Sequence, residues 1–258
     1  MLRIDREGDV VVWTLDRPQA KNALSAELLK SLGEAIEAAA ADRTVRAAIL
    51  TGSGGAFASG GDLRELRHKN IAADAAMLTD VGEHVCRRIG ELHFPVVAAL
   101  TGVAIGGGAE LALSCDLRIA EDRARICFKQ VRMGATTAWG SLPRLCALVG
   151  PSAAARMLYT AQELTAVDAR ACGLVDFVAE DGHGVATAHA WCADIAAGAP
   201  NAVAEMKTLL RAAGAGFYAH MRTLERDAFI RTWSSAEHAE AMTAYFERRP
   251  SNWPRREG

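Results

Sequence analysis

The chain has 258 residues, half of them hydrophobic and 23% charged, with a formal net charge of −2. That length supports one large domain or two modest ones around a sizeable core, and the composition excludes a disordered chain, which would combine few apolar residues with a large net charge. With no basic excess, nucleic acid is not an expected partner.

No apolar run reaches the roughly 18 residues of a membrane span, so a membrane is not expected as a partner either. The opening Met1-Leu2-Arg3-Ile4-Asp5-Arg6-Glu7 lacks the apolar block of a signal peptide. The six cysteines are scattered with no C-x-x-C pair, which reads as reduced thiols in a cytoplasmic protein. The seven histidines offer no metal-ligand spacing, His183 with His189 being too loose, so no metal is expected.

Residues 2–7 and 10–16 alternate apolar and polar around Glu7-Gly8-Asp9, a hairpin signal. Ser25 opens a helix to about Ala41, with Leu28, Leu32, Ala35 and Ile36 at helical spacing. Ala47–Thr51 is a short apolar run and predicts a buried strand. A glycine-rich loop follows from Gly52 to Gly61, and Asp62 caps the next turn. A helix is expected from about Asp74 to Leu92, a strand over 96–100, a second glycine turn over 102–108, a short helix over 109–114 and a strand over 116–120. From Ser152 onward the pattern is alanine-rich and helical, interrupted near Leu174–Val178. The break Gly198-Ala199-Pro200-Asn201 starts a separate group of helices, and the basic tail 248–256 reads as extended. Strand, glycine loop and helix recur, which is the α/β pattern.

The two glycine loops carry the chemistry. Ala56-Phe57-Ala58-Ser59-Gly60-Gly61-Asp62 and Gly102-Val103-Ala104-Ile105-Gly106-Gly107-Gly108-Ala109-Glu110 each follow a strand and precede a helix. Glycine lets backbone approach a ligand closely. Two such turns on neighbouring strands can aim two N–H groups at one oxygen, with a helix N-terminus behind them, which is the recipe for an oxyanion hole. Taken singly, either loop also reads as a plain tight turn. Neither carries G-x-G-x-x-G with a following acidic residue, and a Walker lysine is absent.

In these segments the chain resembles the crotonase superfamily, the enoyl-CoA hydratase/isomerase family. Phe57–Asp62 resembles its first oxyanion segment and Gly106–Asp116 its second. Leu15–Leu24 is similar to its N-R-P-x-x-x-N-A-L stretch, with Asp16 in place of asparagine, and Leu164–Val175 resembles its A-x-x-x-G-L-V stretch. The resemblance implies a crotonase-like spiral of β-β-α units over 1–198, a C-terminal helical trimerisation region over 199–258, and a homotrimer or dimer of trimers. It implies an acyl-CoA substrate, with coenzyme A as part of that substrate and no permanently bound cofactor. It assigns the backbone N–H groups of Ser59 and Gly107 to the oxyanion hole. Ala20, Lys21, Ala56 and Ala58, with Gly60 and Asp62, fall along the substrate path. Thr136, Trp139 and the segment 64–80 fall at the acyl pocket, and Tyr245 and Arg248 on the C-terminal helix near the cofactor portion.

Hydratases of this family use two glutamates. Glu110 matches the first, but an ungapped count puts Gln130 at the second, and residues 123–140 contain no Asp or Glu. Glutamine can orient water but cannot act as a general acid or base. Met133-Gly134-Ala135-Thr136-Thr137-Ala138-Trp139-Gly140 resembles the ethylmalonyl-CoA decarboxylase branch instead. Three readings stand at this point: a hydratase or isomerase using Glu110, a decarboxylase or hydrolase, and a non-catalytic acyl-CoA binder.

Overall fold

The computed structural model describes residues 1–67, 71–213 and 215–253, with side chains at all of these except 215–220. His68, part of the segment 64–80 and the end of the basic tail therefore lie outside the described residues.

The first half alternates strands and helices: β1 (Leu2–Glu7), β2 (Val10–Leu15), α1 (Ala26–Ala41), β3 (Ala47–Gly52), β4 (Ala56–Ala58), α2 (Leu63–Leu66), α3 (Ala72–Glu91), β5 (Val96–Leu100), β6 (Val103–Ile105) and α4 (Gly107–Ser114). It continues with β7 (Leu117–Glu121), β8 (Arg125–Cys127), a 3-10 turn at Lys129–Met133, α5 (Ser141–Thr160), β9 (Leu164–Thr165), α6 (Ala166–Ala171), β10 (Phe177–Ala179) and α7 (Gly184–Ala197). Three helices close the chain: α8 (Pro200–Ala212), α9 (Ala215–Trp233) and α10 (Ala236–Glu247).

Two sheets result, ordered β1-β2-β3-β5-β7-β10 and β4-β6-β8-β9. Strands β3, β5 and β7 enter the large sheet in parallel, and the strand after each, β4, β6 and β8, enters the small one. The chain therefore advances as a spiral of β-β-α units, the expected α/β architecture. The large sheet is buried on both faces, which is why β3 and β5 read as continuous apolar runs. Trp13, Leu15, Leu50, Ala98 and Leu100 pack with α1, α3 and α4 on one face, while Val10, Val12, Ile49, Val97 and Ile119 pack with Ala188 and Cys192 of α7 on the other.

Two expectations are corrected. The small sheet is absent from the sequence reading, because its strands β4, β6 and β8 have three residues each, and β4 and β6 sit inside the glycine segments. The helix expected from Ser152 begins at Ser141, entered through Gly140 in the left-handed region (φ 68°). Gly150, non-helical at φ 76°, followed by Pro151 kinks it midway and hides its first half from a periodicity reading.

The C-terminal helices lie over the core, with α9 against α3 and α5. Lys207 of α8 is buried and donates from Nζ to the Ile89 carbonyl at 3.1 Å, the Phe94 carbonyl at 2.8 Å and Asp116 Oδ2 at 2.8 Å. Burial pushes its ammonium pKa down, and the neighbouring Asp116 opposes that.

Candidate active site

The first glycine loop is held from behind by the segment Arg17–Leu24. Asn22 is fully buried in the left-handed region (φ 54°), and its side chain serves three backbone groups. Oδ1 accepts the Arg17 N–H at 2.8 Å, while Nδ2 donates to the Ser53 carbonyl at 2.9 Å and the Ala56 carbonyl at 2.8 Å. Arg17 adds an ion pair to Asp62 at 2.9 Å, and Asp62 Oδ1 accepts the Arg64 N–H to cap α2. Ser59 Oγ donates to the Ala20 carbonyl at 3.2 Å.

Backbone accounting corrects one assignment. The Ser59 N–H is already donated to the Lys21 carbonyl at 3.0 Å. Next along the chain, Leu24 forms a parallel bridge to Gly61, taking the Gly60 carbonyl at 2.7 Å and the Asp62 N–H at 3.3 Å. Strand alternation then turns the N–H of Gly61 away from Leu24, and it has no hydrogen-bond partner among the described residues. Gly60 makes this turn possible at φ +98°, a region that L side chains rarely adopt.

The second loop meets the first where Gly108 packs on Ala58, so closely that a Cβ at 108 would overlap the Ala58 carbonyl. Gly106 anchors to the Cys127 carbonyl through its N–H at 2.8 Å, and α4 starts with Gly107, whose own N–H is unpartnered among the described residues. One turn in, Glu110 is 3% exposed. Its Oε1 accepts Gln130 Nε2 at 2.7 Å. Its Oε2 accepts the Ala138 N–H at 3.0 Å, the Trp139 N–H at 2.9 Å and Ser141 Oγ at 2.8 Å. Burial raises the Glu110 pKa, and these four donors oppose the rise.

By gripping residues 138–141, Glu110 also sets the Trp139 indole. That ring lies between two glycines, Gly82 of α3 and Gly107: a Cβ on Gly82 would overlap it, and one on Gly107 would stand 2.7 Å from Cη2. Gln130, Glu110, Trp139 and Gly107 are thus brought together. Thr136 is further along, its N–H bonded to Thr232 Oγ1 at 3.2 Å and its hydroxyl to the Thr137 carbonyl at 3.0 Å.

Sequence reasoning missed one acidic residue here. Glu225 of α9 is 4% exposed. Its Oε1 lies 3.2 Å from Ser141 Oγ and accepts the Leu142 N–H at 3.0 Å. Burial, and then the neighbouring Glu110 charge, push Glu225 up to about 7, against the Thr137 side chain, the Leu142 N–H and Ser141. Nothing local in the sequence marks it, since it comes 84 residues after Ser141.

Tyr245 and Arg248 are not brought to this cluster. Tyr245 is 54% exposed and stacks edge-on with Phe246. Arg248 ends α10 in the left-handed region (φ 56°), its side chain exposed. A separate cavity of about 870 Å³ lies under α8. Of the cations that line it, Lys207 is paired with Asp116, Arg118 with Asp176 and Arg222 with Glu83, while Arg144 holds the Cys86 carbonyl. Among the described residues no three His, Cys, Asp or Glu side chains cluster as metal ligands, and no helix is long and apolar enough to cross a membrane.

A spiral of β-β-α units carrying two glycine turns with a buried glutamate behind the second defines the crotonase class. The profile of the enoyl-CoA hydratase/isomerase family matches residues 5–256. The chain is 37% identical over 250 residues to a short-chain-enoyl-CoA hydratase of Clostridium acetobutylicum, covering 95% of this chain and 94% of that protein. It is 33% identical to a crotonyl-CoA hydratase of Syntrophomonas wolfei, covering 97% and 96%. Its fold is similar to the crystal structure of an enoyl-CoA hydratase from Mycobacterium avium subsp. paratuberculosis, with a TM-score of 0.88, 27% identity and 98% coverage of both chains. The chain belongs to the enoyl-CoA hydratase/isomerase family and is an acyl-CoA-processing enzyme.

Proposed function

We propose that the chain adds water to a short 2-enoyl-CoA thioester. The observation that carries this reading is the buried Glu110 carboxylate one helical turn beyond the unpartnered N–H of Gly107, held by Gln130 at 2.7 Å. The N–H groups of Gly61 and Gly107 receive the thioester oxygen, and the start of α4 adds its positive dipole end. As water attacks the β-carbon, negative charge moves onto that oxygen and is stabilised there. Glu110, ionised, takes the proton from the attacking water and returns one to the α-carbon. Gln130 holds Glu110 and carries no proton of its own to give. The relatives named for hydration of enoyl-CoA esters support the same reaction.

Gln130 also favours a second reading, because a single carboxylate suffices for moving a double bond or protonating the enolate left by a lost carboxylate. Mass spectrometry of crotonyl-CoA, a 3-enoyl-CoA and ethylmalonyl-CoA incubated with the protein separates these. Gain of water supports hydration, a shifted double bond isomerisation, and loss of carbon dioxide decarboxylation. Binding without turnover of any of them would reject all three. The trimeric assembly through residues 199–258, a cytoplasmic location, and a path for the coenzyme A portion past Ala20, Lys21 and Ala56 belong to the same proposal. The free helix surface of Met206, Leu209 and Leu210, 63%, 66% and 77% exposed, supports the assembly.

A further inference from the structure

We propose that Glu225 is a positioning residue for Glu110: the two share one proton through the Ser141 hydroxyl, with Glu225 protonated at rest and Glu110 ionised toward the substrate. The inference rests on the reading of Glu110 as the acid–base group.

Proton accounting carries it. The Ser141 hydroxyl has one proton and stands 2.8 Å from Glu110 Oε2 and 3.2 Å from Glu225 Oε1. It can donate to only one of them. If both carboxylates were ionised, one contact would set two lone pairs against each other inside the protein. A proton on Glu225 removes that conflict, giving Glu225 O–H to Ser141 Oγ and Ser141 O–H to Glu110.

The distribution of donors decides which carboxylate holds the proton. Glu110 accepts from two backbone N–H groups, an amide and the hydroxyl. Glu225 has fewer: the Leu142 N–H and the approach of the Thr137 side chain, while its buried Oε2 has no hydrogen-bond partner within normal limits among the described residues. Donors stabilise the charged form of a carboxylate, so Glu110 keeps the charge and Glu225 the proton.

Among the described residues around Glu225, the cations Lys207, Arg211, Arg222 and Arg226 of α8 and α9 are paired with other carboxylates, whereas Arg144 of α5 holds a carbonyl and leaves Nη1 unpartnered. From α5, Cys146 has its thiol pushed up by burial and then by Glu225, and Arg144 reaches the Cys86 carbonyl at 3.4 Å. From α3, Glu83 pairs with Arg222 and Asp80 with Arg226, the two α9 arginines flanking Glu225. From α10, His238 is bonded to the Met133 carbonyl, and burial pushes its pKa down against that bond. From α8, Lys207 is committed to Asp116, and Arg211 lies 3.8 Å from Glu91. The carboxylate nearest in this network is Glu110 itself.

The site therefore contains a second carboxyl group after all, delivered by a C-terminal helix rather than by the segment where Gln130 stands. It acts through Ser141 and fixes both the charge and the orientation of Glu110.

The test is an infrared titration of the whole protein without substrate, paired with pH profiles of kcat/KM on crotonyl-CoA. The expected result is a buried carboxylic-acid C=O band that disappears as pH rises through about 7, is missing in Glu225→Gln, and survives with a shifted midpoint in Ser141→Ala. The kcat/KM profile of the wild type should carry an inflection in the same range that Glu225→Gln lacks. A wild type with no such band overturns the proposal without any variant having to fold, and so does a Glu225→Gln profile superimposable on the wild type. Absence of turnover on crotonyl-CoA with the band present would instead reject the hydratase reading and leave the shared proton standing.

Discussion

Gln130 Nε2 lies 2.7 Å from Glu110 Oε1, so an amide occupies the place beside the candidate acid–base group where a second carboxyl was looked for. The other amide atom, Gln130 Oε1, is buried with no hydrogen-bond partner among the described residues. That spare acceptor makes Glu110→Gln a clean substitution. Gln130 can turn its amide so that Oε1 accepts from the new side chain, and the new carbonyl can still take the Ala138, Trp139 and Ser141 donors. Turnover should fall by roughly 100- to 10,000-fold, the usual contribution of acid–base catalysis, with little change in melting temperature. Steady-state kinetics and a thermal melt check both halves, and undiminished turnover would move proton transfer elsewhere.

Gln130→Glu places a new carboxyl within hydrogen-bond reach of Glu110. Like charge and partial burial raise its pKa, so at neutral pH it keeps a proton and donates to Glu110 as the amide did. It then supplies the acid that the present site lacks on that side. Crotonyl-CoA hydration is expected to rise over the wild type, followed by loss of the enoyl chromophore. An already fast wild type that gains nothing would show that one facing carboxylate is enough.

The two proposed oxyanion donors are separable by mutation. Gly61→Pro removes one N–H and should cost on the order of 100- to 1,000-fold in turnover if the loop stays folded by circular dichroism. Ser59→Ala removes only the hydroxyl bond to the Ala20 carbonyl and should leave turnover nearly unchanged. Equal losses in the two variants would argue that the loop is disturbed and no donor identified.

If Trp139 walls the acyl pocket, as proposed, its replacement changes chain-length preference. With its indole against Gly107, it stands beside the proposed thioester position. Trp139→Ala should shift kcat/KM from crotonyl-CoA toward longer 2-enoyl chains. Gly82→Ala should push the ring out of its socket at about 1–3 kcal/mol of stability, the range for overpacking. A set of chain lengths and a urea titration read the two effects; an unchanged chain-length profile in Trp139→Ala would rule the ring out as a pocket wall.

Stability should also depend on pH through Glu225. Its folded pKa, about 7, lies above the ordinary 4.5. A raised carboxyl contributes stability that is full below the unfolded value and is lost as pH rises through the folded one. The stability of wild type relative to Glu225→Gln should therefore fall between about pH 4.5 and pH 8, by roughly 3 kcal/mol at most. Urea unfolding at pH 5 and pH 8 measures it, and a difference that grows with pH would reverse the assignment.

The large sheet and its helices are legible because burial on both faces leaves apolar runs in β3 and β5, because Glu7-Gly8-Asp9 marks the hairpin of β1 and β2, and because Ser25 caps α1 through the Leu28 N–H. Gln130 beside Glu110 was legible too, by counting along the chain. The small sheet was not, since three residues cannot display a period of two. The motif shows where glycines cluster and points to Ser59, whereas the pairing of Lys21 and Leu24 with the loop engages the Ser59 N–H and leaves that of Gly61 as the proposed donor. Glu225 was out of reach for a different reason: a glutamate on a charged helix looks solvated until the helix is known to cover Ser141.

That last contact has a consequence for how the protein matures. Residues 1–198 contain both glycine turns, Glu110, Gln130 and Trp139, so a nascent chain of that length holds nearly every group the chemistry calls for. Yet the Leu142 N–H and the Ser141 hydroxyl meet Glu225 only where α9 lies on α3 and α5, beside α8 with its Lys207 against Asp116. The site is thus complete only with the C-terminal helices in place, because α9 supplies its innermost acid.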